Sequence, residues 1–336
     1  MELKHYNTFL TDLEDEWNIL LSRSFANYPF MRFGYIRDWW SSLGGGEWQD
    51  GELVLITGSK NGKLAAIAPF FITQRSDGKR VLMLVGSYEV SDYLDIIVSA
   101  DNLSEFVNDL IIYLPAHIKG WDMIDFYNLL DNSPSIAALE SAAEAAGWKT
   151  TLTTLQPSPY IPLPGDWETY LAGIDKKQRH EIRRKMRRAE SGELPATWYV
   201  LADADHLEDD IDAFLGLMAQ GSEKAVFLND AMLPYMRQVM QTAFNEGYLH
   251  LSFLVIGGKK AAAKLCFDYQ NKLWAYNSGF NNDFMDYSPG WVLLGHLLTW
   301  ANEQGREVFD FMRGNEAYKY RFGAVDRFVK LLSLEP

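Results

Sequence analysis

The apolar positions of this chain change period several times, and the changes divide it into elements. The opening stretch reads as helix: Thr11 stands at an N-cap position before Asp12-Leu13, and Glu14, three residues on, completes a capping box. Tyr28-Pro29-Phe30 marks a turn. A tryptophan-rich helix with Tyr35, Ile36, Trp39 and Trp40 follows, and Gly44-Gly45-Gly46, before Glu47, stops it as a loop. The pattern then shortens to apolar runs of strand length. Residues 53–56 lead to Asn61-Gly62, a strong hairpin signal, and residues 64–71 return. Residues 81–85, 94–98 and 123–126 predict further strands, and residues 103–114 a helix.

Between Gln156 and Gly165 four of ten residues are proline, which bars regular helix and a central strand. The boundary falls there, giving domains 1–156 and 157–336. Beyond it the pattern predicts one long helix over 167–190 and helices near 208–220 and 230–245. An antiparallel meander over 249–256, 261–269 and 273–277 follows. Residues 290–304 and 316–322 read as helix, and 308–312 and 328–334 as strands.

The halves echo one another. Gly62-Lys63-Leu64-Ala65-Ala66 resembles Gly258-Lys259-Lys260-Ala261-Ala262, each after a strand. Gly120-Trp121-Asp122-Met123-Ile124-Asp125-Phe126 resembles Gly305-Arg306-Glu307-Val308-Phe309-Asp310-Phe311, each after a helix. The same order of elements twice predicts an internal duplication.

Composition narrows the class. The 336 residues suit two ordinary domains, and 48% hydrophobic with 23% charged residues excludes a disordered, collagen-like or low-complexity chain. Apolar runs fall far short of the ~20 residues of a membrane span. The N-terminus soon turns acidic and offers no signal-peptide pattern, and a single cysteine, Cys266, excludes an intrachain disulfide. The expectation is a cytoplasmic protein. Net charge is −14, which argues against a general nucleic-acid binder. The charge is uneven: eight of the 31 Lys and Arg residues lie between Lys176 and Arg188.

An ordered set of motifs then stands out. Tyr287-Ser288-Pro289-Gly290 opens a helix; Phe309-Asp310-Phe311, Gly314, Glu316 and Tyr318-Lys319-Tyr320-Arg321-Phe322-Gly323 follow. Upstream lie Trp167-Glu168-Thr169-Tyr170 and Lys176-Lys177-Gln178-Arg179, and in the first half Pro29-Phe30 and Ser91-Asp92-Tyr93. This set resembles the CelD/BcsL family of the GNAT acyltransferase superfamily, related to the FemAB peptidyltransferases. The resemblance implies an α/β protein of two tandem GNAT-like domains, each a mixed, mostly antiparallel sheet flanked by helices. It implies transfer of an acyl group to an amine, less readily a hydroxyl, of an envelope or polysaccharide precursor, a lipid or a small molecule. Acyl-CoA would be the cosubstrate, or an acyl carrier protein the donor, with no tightly bound cofactor. Aminoacyl-tRNA is the donor in a FemAB-like alternative, and a non-catalytic scaffold in a polysaccharide-synthesis complex is a third reading.

The candidate site residues follow. Ser288 as N-cap, Pro289 at the first helical position, and the N–H groups of Gly290, Trp291 and Val292 would hold a donor's pyrophosphate. Asp283 and Asp286, just upstream, would repel it. Lys319 would stabilise the oxyanion, beside Asp310 at a strand end. In the FemAB relatives a lysine in the matching helix belongs to the catalytic centre. Tyr318 or Tyr320 would protonate a leaving thiolate, and Arg321 would bind phosphate. On the basic helix, Arg179 and Arg183 would flank an apolar stripe of Leu171, Gln178, Ile182, Met186 and Ala189. With Lys176 they would clamp an anionic group. Lys177, Arg184, Lys185 and Arg188 read as solvated. Asp92 and Tyr93 would meet the acceptor; Asp268 and Tyr276 are weaker base and acid candidates. The six histidines show no metal-ligand spacing, so no metal site is expected.

Overall fold

The computed structural model describes residues 1–45, 51–86 and 89–336. Gly46 and Glu47 of the expected glycine loop lie outside the described residues. The chain divides into two compact units, Met1–Pro157 with Arg327–Pro336, and Ser158–Asp326.

The first unit runs β1 (Glu2–Tyr6), α1 (Glu14–Leu21), α2 (Phe33–Leu43), β2 (Glu52–Lys60), β3 (Lys63–Gln74), β4 (Arg80–Leu84), β5 (Ile97–Val98), α3 (Leu103–His117), β6 (Met123–Leu130), α4 (Pro134–Ala145) and β7 (Lys149–Pro157). Asn61 and Gly62 sit at φ 53° and 72°, the positive pair that a two-residue hairpin needs. Gly44 closes α2 in the left-handed conformation, as the glycine run predicts. Thr11 caps nothing: it lies in a 3₁₀ turn, and α1 starts after Leu13 without a side-chain cap. The 94–98 strand shrinks to Ile97–Val98, while β1, α4 and β7 were not predicted.

The second unit runs β8 (Tyr160–Pro162), α5 (Trp167–Gly173), α6 (Lys176–Glu190), β9 (Ala196–Val200), α7 (Leu207–Met218), α8 (Ser222–Phe227), α9 (Met232–Asn245), β10 (Leu249–Ile256), β11 (Lys259–Tyr269), β12 (Lys272–Phe280), α10 (Pro289–Glu303), β13 (Val308–Asp310) and α11 (Ala317–Arg321). The proline-rich β8 takes the sheet edge, where a missing N–H costs least. The expected 167–190 helix is two helices. Ile174 is extended, and the Asp175 carboxylate caps α6 by accepting the N–H groups of Lys177 and Gln178. The expected single stripe from Leu171 to Ala189 is therefore broken.

A final strand, β14 (Phe328–Glu335), pairs antiparallel with both β6 and β7. Residues 327–336, placed by the sequence in the second domain, thus complete the sheet of the first unit. Strand pairing is non-local, and nothing in the sequence of β14 names its neighbours.

The sheets share one wiring. In the first, β1-β2-β3-β4 are antiparallel neighbours and β4 pairs β6 in parallel; in the second, β9-β10-β11-β12 are antiparallel and β12 pairs β13 in parallel. The repeat noted between the two glycine–strand motifs is this topology. In the second unit one sheet face, with Leu254, Cys266, Ala275 and Phe309, packs under α10 (Val292, Leu297) and α6 (Ile182, Ala189). A Cβ on Gly295 would stand 2.6 Å from Met186 Sδ, so that glycine sets how closely α10 approaches α6. Among the described residues no helix is long and apolar enough to cross a membrane.

Candidate active site

The parallel pair β12–β13 is short. It joins Lys272–Trp274 to Val308–Asp310; β12 then continues to Phe280 while the chain after β13 turns away. Met312, at φ 58°, makes that turn, and the Asp310 carboxylate holds it by accepting the Met312 N–H at 2.8 Å. Asp310 is fully buried.

A cavity of about 470 Å3 lies between the far part of β12 and the segment after β13, within the range of small-molecule sites. Ser288, Pro289, Gly290 and Trp291 at the start of α10 line one wall, and Ser278 and Phe280 of β12 another. Ala263 and Lys264 of β11, Lys185 of α6, Lys224 of α8, and Glu316 with Tyr318 at α11 complete it. Gly290 is required: a Cβ there would stand 2.3 Å from the Phe280 ring.

Four residues expected at the helix start thus face one cavity with Tyr318. Their detail differs from expectation. Ser288 is left-handed (φ 52°) and makes no side-chain cap. Its carbonyl accepts the N–H groups of Trp291 at 3.0 Å and Val292 at 3.1 Å, so those donors are occupied. Asp283 and Asp286 are exposed and outside the lining.

Tyr318 packs edge-on against Phe311, and burial pushes its hydroxyl up to about 12, so it holds its proton at neutral pH. Lys319 has another environment. It is 2% exposed and donates to the carbonyls of Arg313 (2.8 Å), Gly314 (3.1 Å) and Met312 (3.4 Å), with Glu316 Oε2 at 2.9 Å. Its protons are committed to the loop beneath Tyr318 rather than to the cavity. Burial works against the Glu316 charge, but Lys319 outweighs it and holds the carboxyl below its ordinary range.

The other expected groups lie elsewhere. Arg321 is exposed outside the lining, and the exposed Tyr320 donates to Asp326 at 2.7 Å. Tyr276 packs at a tilt against the Phe267 ring, and Asp268 is held bidentately by Arg306 at 2.6 and 2.7 Å. Arg179 donates to the Leu171 and Ala172 carbonyls at the end of α5, Arg183 pairs with Glu168, and Lys176 is exposed. None of the three lines the cavity. Asp92 and Tyr93 belong to the first unit; Tyr93 is fully buried and its hydroxyl accepts from Arg327 at 3.0 Å.

Three lysines were missed. Lys185, expected in solvent, lies with its Nζ 4.3 Å from the Trp291 ring centroid. Lys224 donates to the Ser278 carbonyl (2.5 Å) and Oγ (3.3 Å); burial, then Lys264, push it down to about 8. Burial also pushes Lys264 down. Lys264 did leave a trace: it interrupts the apolar run from Ala261 to Phe267 inside a strand.

Residues 176–320 match the acetyltransferase (GNAT) domain family. Among solved structures, FemX is 12% identical with a TM-score of 0.68, over 98% of this chain and 97% of that one. L-PGS from Bacillus licheniformis is 12% identical with a TM-score of 0.57, over 95% and 90%. A tandem GNAT protein from the clavulanic acid biosynthesis pathway is 12% identical with a TM-score of 0.50, over 98% of each chain. At these identities the likeness is one of fold: two tandem GNAT-like units. No curated protein matches the chain in sequence.

Proposed function

We infer that the chain is an N-acyltransferase, because residues 176–320 match the acetyltransferase (GNAT) domain family. We propose that, as a CelD/BcsL-type member, it moves an acyl group from acyl-CoA to an amine of an envelope precursor, lipid or small molecule, within the cavity under α10. The observation that carries this reading is the convergence of the α10 N-terminus, the part of β12 beyond its pairing with β13, and Tyr318 on one space. The positive end of the α10 dipole faces the donor's phosphates. The amine nitrogen attacks the thioester carbonyl, the C–N bond forms and the C–S bond breaks. The amine gives up one proton to solvent, and the leaving thiolate takes the Tyr318 proton, which solvent restores. Lys319 is a positioning residue, fixing the loop that carries Tyr318.

Thiol release from acetyl-CoA and a long-chain acyl-CoA, with a panel of amine acceptors, tests the reading. Turnover with one donor, and a raised melting temperature with that donor, is expected. No release and no shift with any CoA species sinks it. A second reading, aminoacyl transfer from charged tRNA, draws on the exposed cations of α6: Lys176, Lys177, Arg184, Arg187 and Arg188. Salt-sensitive competition by tRNA favours that donor instead.

A further inference from the structure

The cavity under α10 holds more positive charge than its own carboxylates answer. Lys185, Lys224 and Lys264 come to it from three separate elements, and among the described residues Glu316 is the one carboxylate in the lining. That carboxylate is already engaged, with Lys319 Nζ at 2.9 Å. Lys185 has Glu181 at 3.7 Å. Lys224 rests on neutral acceptors, the carbonyl and hydroxyl of Ser278. The Lys264 ammonium makes no hydrogen bond or ion pair among the described residues, although Glu316 acts on its charge from a distance.

Ser278 brings the last two together. It accepts from Lys224, and it is the direct cross-strand partner of Lys264 in the β11–β12 ladder. Directly opposed residues on antiparallel strands share a face, with Cβ atoms about 5 Å apart. Two ammonium groups are thus gathered around one serine, among Phe280, Trp291 and Leu294. Taking ammonium groups out of water is costly; Glu316 favours their charge, but burial outweighs it and holds both below the ordinary lysine range. A negatively charged group between them removes that cost, and charge-assisted contacts to both would fix its position.

We propose that Lys224 and Lys264 form an oxyanion-binding subsite, which takes a carboxylate or phosphate group of a substrate whose remainder is apolar. The assignment of that group to a substrate rests on the acyl-transfer reading of this cavity. Two sources share the chemistry: a phosphate of the donor, or a carboxylate on the acyl group or acceptor.

The experiment uses wild type, Lys264→Met, Lys224→Met and, as a control, Lys63→Met, an exposed lysine of the first unit. Thermal melting and titration calorimetry are run with inorganic phosphate and with succinate, against sodium chloride of equal ionic strength. Wild type and Lys63→Met are expected to bind one of the two anions, and both cavity variants to bind it about ten- to hundredfold more weakly. Lys264→Met without ligand is expected to melt no lower than wild type, because it removes a charge whose burial outweighs its attraction to Glu316. A lower melting point there identifies a structural lysine and overturns the proposal. So does equal binding by wild type and variant, or the absence of any anion-specific effect. Binding of phosphate alone assigns the donor; binding of succinate alone assigns a carboxylate. The two readings fail separately. Lysine-dependent anion binding without thiol release from acyl-CoA removes the donor assignment and keeps the subsite. Turnover that persists in Lys264→Met with no anion binding removes the subsite alone.

Discussion

Lys319 Nζ lies 2.9 Å from Glu316 Oε2, three residues earlier in the chain, and donates on its other side to the carbonyls of Arg313 and Gly314. One buried cation therefore closes the bend between β13 and α11 on itself. Replacing Lys319 by Met removes the donor that those carbonyls share. The expected loss is about 2–4 kcal/mol of stability, accompanied by a fall in turnover. A variant that melts like wild type yet is inactive would return Lys319 to a direct role in chemistry.

Tyr318→Phe removes one oxygen from the cavity wall and keeps the ring against Phe311. Melting is expected to change little, while acyl transfer slows by about 10²–10⁴, the usual contribution of a positioned acid. Turnover within a factor of two of wild type would exclude Tyr318 as that acid.

Gly290→Ala places a methyl 2.3 Å from the Phe280 ring. Overpacking of this kind costs about 1–3 kcal/mol and narrows the cavity. Calorimetry should show weaker donor binding in this variant, whereas Gly216→Ala, in α7 with open space around it, should bind as wild type.

Acid should act oppositely on the two units. His250 is buried against Trp300 with neither ring nitrogen hydrogen-bonded, and burial pushes it down to about 4. Its folded value lies below the ordinary 6.5, so the stability it lends is present above 6.5. That stability is lost as pH falls toward 4, by at most about 1.4 kcal/mol per pH unit. Asp95 is buried among Ser133, Ser135 and the Ile96 N–H, and burial pushes it up to about 6. Its folded value lies above the ordinary 3.8, so the first unit loses stability as pH rises from about 4 to 6. Melting followed from pH 4 to 7 should show a flatter acid slope in His250→Phe and the opposite change in Asp95→Asn.

What the sequence made legible is mostly local chemistry. Asn61-Gly62 names its turn because only a few residues accept positive φ in succession. Tyr287 to Gly290 marks a helix start that does border the cavity. Lys319 was expected at the oxyanion; the carbonyls that the fold wraps around it come from residues 312–314, and nothing in the pattern announces them. Lys224 and Lys264 are forty residues apart in sequence, and their meeting at Ser278 depends on strand register. The break at Asp175 was hidden by the charge run that follows it, although Asp before Lys-Lys-Gln is a fair cap signal.

The return of β14 to the first sheet also sets an order of events during synthesis. Until residues 327–336 leave the ribosome, β7 has no neighbour in its sheet and β6 keeps one open edge. The second unit, Ser158–Asp326, has by then emerged with all its strands. The half of the protein translated first is therefore the half completed last, and its unpaired strands are what a nascent-chain chaperone would have to shield.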